Sequence, residues 1–141
     1  MTQEKELLFK DLCARLPYGV KVMTSVGGEI RNDKEQLNFA QLSLFENSYE
    51  DIKPYLFPLS SITEGQSMEL FKLFGISLVD SIGADYIKIN ECTGITFFLN
   101  KGFDVETHLD KLIDWLNKNH FDYRGLIEKG LAIDATGLNI Y

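Results

Sequence analysis

The stretch YGVKVMTSVGG, residues 18–28, alternates apolar and polar side chains and then ends in a pair of glycines. The even-numbered residues from Val20 to Val26 fall on one side of this alternation. A period of two indicates a strand with one buried face, and Gly27-Gly28 indicates a tight turn after it. We therefore predict that an antiparallel sheet is built outward from this strand.

The chain before this strand has helical spacing, and the chain after it has a second alternation. Glu4 to Leu16 places its apolar residues on one stripe, and Pro17 ends the predicted helix. Cys13 belongs to the stripe and is therefore expected to face the core. Glu35 to Phe45 indicates a second strand whose alternation slips, and a β-bulge near residues 40–41 would restore it.

The middle of the chain adds a connection and a helix. Pro54 and Pro58 exclude a regular helix from residues 52–61, which we interpret as an ordered, aromatic-rich connection lying on the core. Thr63 and Gln66 form a capping-box pattern that opens a helix. The predicted apolar face of this helix, which ends at Gly75, consists of Met68, Leu70, Phe71 and Phe74.

A β-hairpin is predicted after Gly83, with Asn90 to Gly94 as its connection. This length places the apolar residues of both strands on one side. The predicted cross-strand pairs are Ile89 with Ile95, Ile87 with Phe97 and Tyr86 with Phe98.

The last part of the chain contains the longest predicted helix. Asp104 can cap this helix, which extends to about Asn119, and Asn119 can adopt the left-handed turn that ends it. Asp122 can cap a second, short helix ending at Gly130, and Leu131 to Asp134 indicates a closing strand. The buried stripe of the long helix is predicted to contain Val105, Leu109, Leu112, Ile113 and Leu116.

The order of these elements predicts an α+β fold in a single domain spanning residues 1–141. We expect a mainly antiparallel sheet of about four to six strands with three to four helices. The length allows a hydrophobic core that needs neither a metal nor a disulfide.

Composition and charge exclude several classes of protein. The formal net charge is −7, with no basic stripe, so direct binding to nucleic acid is not expected. The sequence contains no apolar run long enough for a membrane span and no secretory signal, which predicts a cytoplasmic protein. Its two cysteines, Cys13 and Cys92, suit a reducing compartment.

The motifs of common enzymes are missing from the sequence. It has no phosphate-binding loop, no dinucleotide fingerprint, no nucleophile elbow and no HExxH motif. Because only two histidines and two cysteines are present, we expect no metal site built on them and no cofactor. A metal site made of carboxylates stays open at this stage.

The segment DWLNKNHFDYRGLIEKGLAIDA, residues 114–135, holds the strongest catalytic candidates. His120, Asp122 and Arg124 could act as base, orienting group and anion anchor. A structural interpretation is favoured, because His120 follows a helix C-terminus and Asp122 can cap the next helix. A positive charge in the first turn of a helix is unfavourable. The position of Arg124 therefore predicts that its guanidinium group has a carboxylate partner elsewhere.

His108 and Cys92 are weaker candidates. His108 lies one turn after Asp104 and could be a base oriented by it, but a half-buried edge position is the favoured interpretation. Cys92 could be a reactive thiol, although the adjacent Glu91 disfavours its thiolate.

Three segments carry a resemblance: LFKDLCARLPYGVKV, IKPYLFPLSSIT and DWLNKNHFDYRGLIEKGLA. They resemble segments of a group of small uncharacterised proteins from gut bacteria that are often carried on phage-like or other mobile elements. The resemblance covers about a third of the chain. It implies an intracellular accessory protein, and it implies no activity and no site residue.

The leading hypothesis is a non-enzymatic intracellular module that binds another protein. One alternative is a small hydrolase-like or nuclease-like enzyme centred on His120, Asp122 and Arg124. Another alternative is a small-ligand binder in which residues 52–61 form a pocket wall. The residues predicted to contact a partner or ligand are Trp115, Tyr123, Arg124, Tyr55 and Phe57.

Overall fold

The computed structural model of the chain describes residues 2–66, 68–69, 76–77, 85–90, 95–99 and 105–141. Its helices are α1 (Gln3–Arg15), α2 (Phe39–Glu46), the helical residues 64–66 and 68–69, which we label α3, and α4 (Val105–Lys118). Its strands are β1 (Lys21–Val26), β2 (Glu29–Gln36), β3 (Asp51–Pro58), β4 (Ile76–Ser77), β5 (Asp85–Asn90), β6 (Ile95–Leu99), β7 (Phe121–Asp122) and β8 (Ile133–Asp134).

Five strands form the main sheet, in the order β2-β1-β3-β7, with β8 also paired to β3. β1 is antiparallel to both β2 and β3, whereas the short strands β7 and β8 run parallel to β3. A second, antiparallel sheet has the order β4-β6-β5. The predicted α+β class with mainly antiparallel pairing is confirmed.

β1 and the turn after it follow the sequence prediction, except that Val26 of the predicted buried face is 38% exposed. Val20, Val22 and Thr24 are fully buried, and the chain turns at Gly27 and Gly28. Both glycines have positive φ, 58° and 86°, a conformation that other residues rarely adopt. The first strand and its turn therefore lie where the alternation predicted them, whereas β2 begins directly after the turn and not at Glu35.

The helix α1 is confirmed, but one detail of its face is wrong. Its buried residues are Leu8, Asp11, Leu12 and Arg15, and Cys13 is exposed. The ion pair of Asp11 with Arg15 occupies one side of the buried face, which turns Cys13 toward solvent. Helical spacing of the apolar residues alone did not show this rotation.

The predicted second strand is wrong over most of its length. Only its first two residues belong to β2, and residues 39–46 form α2. The N-terminus of α2 is a capping box, in which the Gln41 amide donates to the Asn38 side chain at 2.9 Å and the Asn38 amide donates to Gln41 Oε1 at 3.0 Å. The slip in the alternation marks the change from strand to helix, and no bulge is needed.

The interpretation of residues 52–61 as a connection is also wrong, because β3 is the central strand of the main sheet. The Tyr55 carbonyl faces β1, since it accepts from the Tyr141 hydroxyl that also binds the Lys21 amide. Peptide groups alternate between the edges of a strand, so the nitrogen of Pro54 faces away from β1. No partner strand is described there for residues 51–54, so proline is tolerated.

The last helix and the segment after it match the prediction in part. Within α4, Leu112 and Leu116 are buried as predicted. The left-handed residue after α4 is His120, with φ 61°, and not Asn119. Turns follow Asp122 in place of the predicted short helix, and β8 is the predicted closing strand. Asp104 and the side chains of Val105 and Leu109 lie outside the described residues.

The remaining predictions concern α3 and the second hairpin. The Thr63–Gln66 capping box is confirmed, because the Gln66 amide donates to Thr63 Oγ1 at 3.2 Å. Met68 is 55% exposed and so does not face the core, and the rest of that predicted face lies outside the described residues. In the second hairpin, two predicted pairs are confirmed, Tyr86 with Phe98 and Ile87 with Phe97. The predicted pair of Ile89 with Ile95 is wrong. Ile95 pairs with Asn90, because the register shifts after Lys88.

Candidate functional site

Asp122 is bonded to the backbone of the turn that follows it. Its Oδ1 accepts from the amides of Leu126 at 3.0 Å and Arg124 at 3.3 Å, and its Oδ2 accepts from the amide of Ile127 at 2.9 Å. The residue is 7% exposed. The carboxylate therefore orders the turn, as a capping residue does.

Arg124 has the carboxylate partner that the sequence predicted, and that partner is Asp11 of α1. Arg124 Nε donates to Asp11 Oδ1 at 3.1 Å, and Arg15 Nε donates to Asp11 Oδ2 at 2.8 Å. Arg15 Nη2 also donates to the Phe121 carbonyl at 2.7 Å. One carboxylate thus joins two guanidinium groups and connects α1 to the segment after α4.

Tyr123 completes this arrangement, which we call the Asp11 cluster (Asp11, Arg15, Asn117, Tyr123 and Arg124). Its ring centroid lies 5.1 Å from the guanidinium carbon of each arginine, and its hydroxyl donates to Asn117 Oδ1 at 2.9 Å. Asp11 and Arg15 are fully buried. Within the described residues, Arg15 Nη1 has no hydrogen-bond partner. The cluster therefore buries one negative and two positive charges.

His120 belongs to a different set of contacts. Its ring stacks on Tyr141, with centroids 3.7 Å apart and an angle of 14° between the planes. Burial, followed by the positive charges of Arg15 and Lys21, lowers the pKa of His120 to about 4. Its Nδ1 is buried without a hydrogen-bond partner in the described part of the chain. A neutral imidazole with so low a pKa is a weak general base at neutral pH.

The three catalytic candidates are close in sequence, but each has separate partners. Asp122 binds backbone amides, Arg124 binds Asp11, and His120 stacks on Tyr141. Within the described residues, no hydrogen bond joins His120 to Asp122. Cys92, Asp104 and the side chain of His108 lie outside the described residues.

Most of the residues predicted to bind a partner or ligand are in the interior. Tyr55, Trp115, Tyr123 and Arg124 are each less than a tenth exposed, and Phe57 is half-buried. Trp115 Nε1 donates to Glu69 Oε1 at 3.1 Å, and the Tyr55 hydroxyl donates to Asp33. These side chains therefore contact the chain itself.

Four other apolar side chains are exposed at one end of the main sheet. Ser25 pairs with both Ile30 and Asp51, so the turn of the β1–β2 hairpin and the start of β3 lie at the same end. The Tyr49 amide donates to the Leu44 carbonyl at 2.8 Å, just before β3 begins. We call this surface the hairpin-end patch: Val26, Ile30, Leu44 and Tyr49 are 38%, 60%, 42% and 70% exposed.

Little in the sequence indicates this patch. Ile30 is the only apolar residue of β2. Leu44 is predicted in a strand but lies in the helix α2. The exposure of Tyr49 depends on how α2 packs, which spacing does not show. Only the pairing of β1 with both neighbours brings these residues to one end of the sheet, where Ile30 shares a face with Ser25 and Val26 shares the other face with Glu29.

A cavity of about 350 Å³ lies beside the hairpin-end patch. It is bounded by the N-terminal part of α1, the C-terminal part of α2, and the adjoining ends of β1 and β3. Leu8, Phe45 and Ile52 form its buried apolar floor. The small-ligand alternative placed a pocket against Tyr55 and Phe57, whereas this cavity lies at the other half of β3.

Neither a metal site nor a membrane helix is found in the described part of the chain. No group of three or more His, Cys, Asp and Glu residues there could hold a metal ion. No described helix is both long and apolar enough to cross a membrane.

Comparisons with protein families, with curated proteins and with solved structures each found no match to this chain.

Proposed function

We propose that the chain is a non-enzymatic module that binds another protein through the hairpin-end patch. The observation that carries the proposal is the exposure of Val26, Ile30, Leu44 and Tyr49 at one end of the molecule. Grouped apolar side chains on a surface are typical of sites that bind other proteins. The catalytic candidates, in contrast, are bonded within the fold.

Tyr49 is the strongest anchor in this patch. It is 70% exposed, and tyrosine is enriched among the residues that dominate binding energy at interfaces. Its ring supplies a large contact area with little conformational freedom to lose. We therefore expect Tyr49 and Ile30 to contribute most of the affinity.

The edge of β2 is a poorer binding surface than the patch. β2 is the outermost described strand on that side of the main sheet, but its pairing with β1 shifts register twice. Lys34 within it has a positive φ of 58°. Irregular, charged edge strands resist pairing with another chain. Binding through side chains is therefore favoured over addition of a strand.

We also propose a cytoplasmic location. Cys13 is an exposed free thiol, and exposed thiols persist in reducing compartments.

The test uses the double variant Ile30→Ser/Tyr49→Ser. Proteins captured from cells of the source organism by the wild-type chain, but lost with the variant, are purified and their affinity is measured. We expect the dissociation constant to rise at least about tenfold in the variant, because both anchors are removed.

The matched control is Phe39→Ser. Phe39 is 78% exposed, but it begins α2 beyond the far end of β2, away from the hairpin turn. This control should change the affinity by less than about twofold. A partner that binds both variants equally would contradict the proposal. Dimerisation of the purified chain through the patch, seen by sedimentation, would also contradict it.

A further inference from the structure

We propose that the partner inserts a large apolar side chain, flanked by basic residues, into the cavity beside the hairpin-end patch. This inference rests on the proposed function and specifies the chemistry of the partner. It is carried by the position of the cavity next to Ile30 and Tyr49, by the apolar floor of the cavity, and by the charges around both.

The cavity lies next to two residues of the patch, Ile30 and Tyr49. Ser25 lines the cavity and pairs with Ile30 of the patch, so the two side chains lie on the same face of the hairpin. Lys5 Nζ at the cavity wall donates to Ser48 Oγ, next to Tyr49. A partner that contacts Ile30 and Tyr49 is therefore next to the cavity.

The dimensions and lining of the cavity suit an apolar side chain. Its volume of about 350 Å³ is at the lower end of the range for small-ligand sites. Leu8, Phe45 and Ile52 form the floor, so the interior offers apolar contacts. The most important residues of an interface are commonly large side chains that fill such a pocket.

The charges around the surface favour a basic partner. Glu29 lies opposite Val26, Glu50 follows Tyr49, and Asp51 lines the cavity. Glu4 also lines the cavity, and Glu46 follows its lining residue Phe45. None of these carboxylates is in an ion pair within the described residues.

The nearby basic residues do not balance these acids. The cavity is lined by Lys5 and Lys53 against Glu4 and Asp51, and Arg31 follows Ile30 of the patch, so three basic residues stand against the five acidic ones. Lys5 is bonded to Ser48 and lies over the Phe45 ring. The chain as a whole carries a formal charge of −7. Complementary charge on the partner accelerates association and excludes acidic proteins.

The test uses a fluorescein-labelled pentapeptide with one phenylalanine between two pairs of lysines. We expect fluorescence anisotropy to show saturable binding with a dissociation constant at or below about 1 mM. A peptide with serine in place of phenylalanine, and one with glutamates in place of lysines, should each bind at least about tenfold more weakly. Binding should weaken at least about threefold between about 0.05 M and about 0.5 M sodium chloride.

Variants of the protein locate the binding. Ser25→Trp places a large ring at the cavity and should weaken binding of the peptide at least about tenfold. Ser25→Leu replaces this variant if the larger residue disturbs folding. Glu50→Lys should weaken it by at least about threefold. Glu35→Lys makes the same charge change at the far end of β2 and should weaken it by less than about 1.5-fold.

The outcomes separate this inference from the proposed function. If Ile30→Ser/Tyr49→Ser abolishes binding of the natural partner but Ser25→Trp does not, the inference fails and the proposed function stands. Equal binding of all three peptides also overturns the inference, as does a dissociation constant above about 1 mM for the peptide with phenylalanine and lysines. Free phenylalanine and unlabelled peptide are also compared as competitors of the labelled peptide. Equal displacement by the two would contradict the inference and indicate a small-molecule pocket instead.

Discussion

Asp11 is the residue on which the buried charges depend most. Its two carboxylate oxygens are bonded to Nε of Arg15 and Nε of Arg124, and the residue is fully buried. Buried charges are stable only when they are paired and hydrogen-bonded. The carboxylate therefore compensates two guanidinium groups at once.

Replacing this carboxylate by an amide should be severely destabilising. Asp11→Asn has nearly the same shape, but it leaves two buried positive charges without a counter-charge. We expect the free energy of unfolding to fall by about 3–5 kcal/mol, as it does when one partner of a buried ion pair is removed. Urea unfolding followed by circular dichroism measures this change.

Arg124→Met is the matched control for Asp11→Asn. The Arg124 side chain is 11% exposed, and its removal leaves Asp11 paired with Arg15. We expect a loss smaller than about 1.5 kcal/mol, because the excess positive charge disappears with the side chain. A larger loss for Arg124→Met than for Asp11→Asn would contradict this account of the cluster.

His120 makes stability depend on pH. Its pKa is about 4 in the folded chain, against a usual value of 6.5. Between these values the unfolded chain binds more protons, so the free energy of unfolding rises with pH. The contribution is therefore fully present above pH 6.5 and is lost as the pH falls toward 4. We expect the loss to be at most about 3 kcal/mol.

His120→Asn is the control for this prediction. Asparagine tolerates the left-handed conformation that His120 adopts with φ 61°, and it does not titrate. The slope of stability against pH between about pH 4 and 6.5 should therefore be shallower in the variant. An NMR titration that places the pKa of His120 near 6.5 would refute the prediction directly.

The sequence predicted part of the chemistry at the residue scale. The position of Arg124 indicated that it needs a carboxylate, but not which one, because Asp11 lies 113 residues away. Asp11 and Arg15 have the i, i+4 spacing that is common for exposed pairs on helices. Their burial depends on Phe121 and Tyr123, which reach α1 only in the folded chain.

At the scale of elements, α2 shows why a strand was predicted where a helix forms. Phe39, Leu42 and Leu44 fit a faulty alternation, but only Leu42 and Phe45 are buried among the apolar residues of α2. That i, i+3 pair is the helical signal. The Asn38–Gln41 capping box confirms where the helix begins, and it is readable in the sequence.

The turn after β7 is the element that depends most on one side chain. Asp122 accepts hydrogen bonds from three backbone amides of this turn. Asp122→Ala removes all three, and bonds to a charged acceptor are stronger than bonds to a neutral one. We expect a loss of about 2–3 kcal/mol in the free energy of unfolding, measured by denaturant melts.

Asp122→Asn tests whether the carboxylate or only an acceptor is needed. The amide oxygen can replace Oδ1, which binds Leu126, but the amide nitrogen does not accept from Ile127. The loss should therefore lie between zero and that of Asp122→Ala. Unchanged stability in Asp122→Ala would show that the turn forms without this residue.

At the scale of the whole molecule, the two ends of the chain are joined around β3. Arg15 binds the Phe121 carbonyl, 106 residues away, and β7 and β8 both add to β3. The sequence predicted an α+β fold and the closing strand. Its spacing did not predict the parallel pairing, because β7 and β8 are only two residues long and depend on contacts with distant residues.

Tyr141 closes the sheet where β1 and β3 separate. Its hydroxyl accepts from the Lys21 amide at 2.8 Å and donates to the Tyr55 carbonyl at 2.7 Å. Burial raises the pKa of this phenol to about 12, so the donated proton stays in place at physiological pH. The hydroxyl thus takes the position of a backbone hydrogen bond between the two strands.

Tyr141→Phe should loosen this junction without unfolding the chain. The ring keeps its stacking on His120, but the Lys21 amide and the Tyr55 carbonyl both lose a partner. We expect a loss of about 1–2 kcal/mol in the free energy of unfolding and faster hydrogen exchange at the Lys21 amide. Tyr49→Phe is the control, since the exposed Tyr49 should tolerate the change within about 0.5 kcal/mol. If both variants melt alike and exchange at Lys21 is unchanged, the Tyr141 hydroxyl does not hold β1 to β3, and the short strands must close the sheet without it.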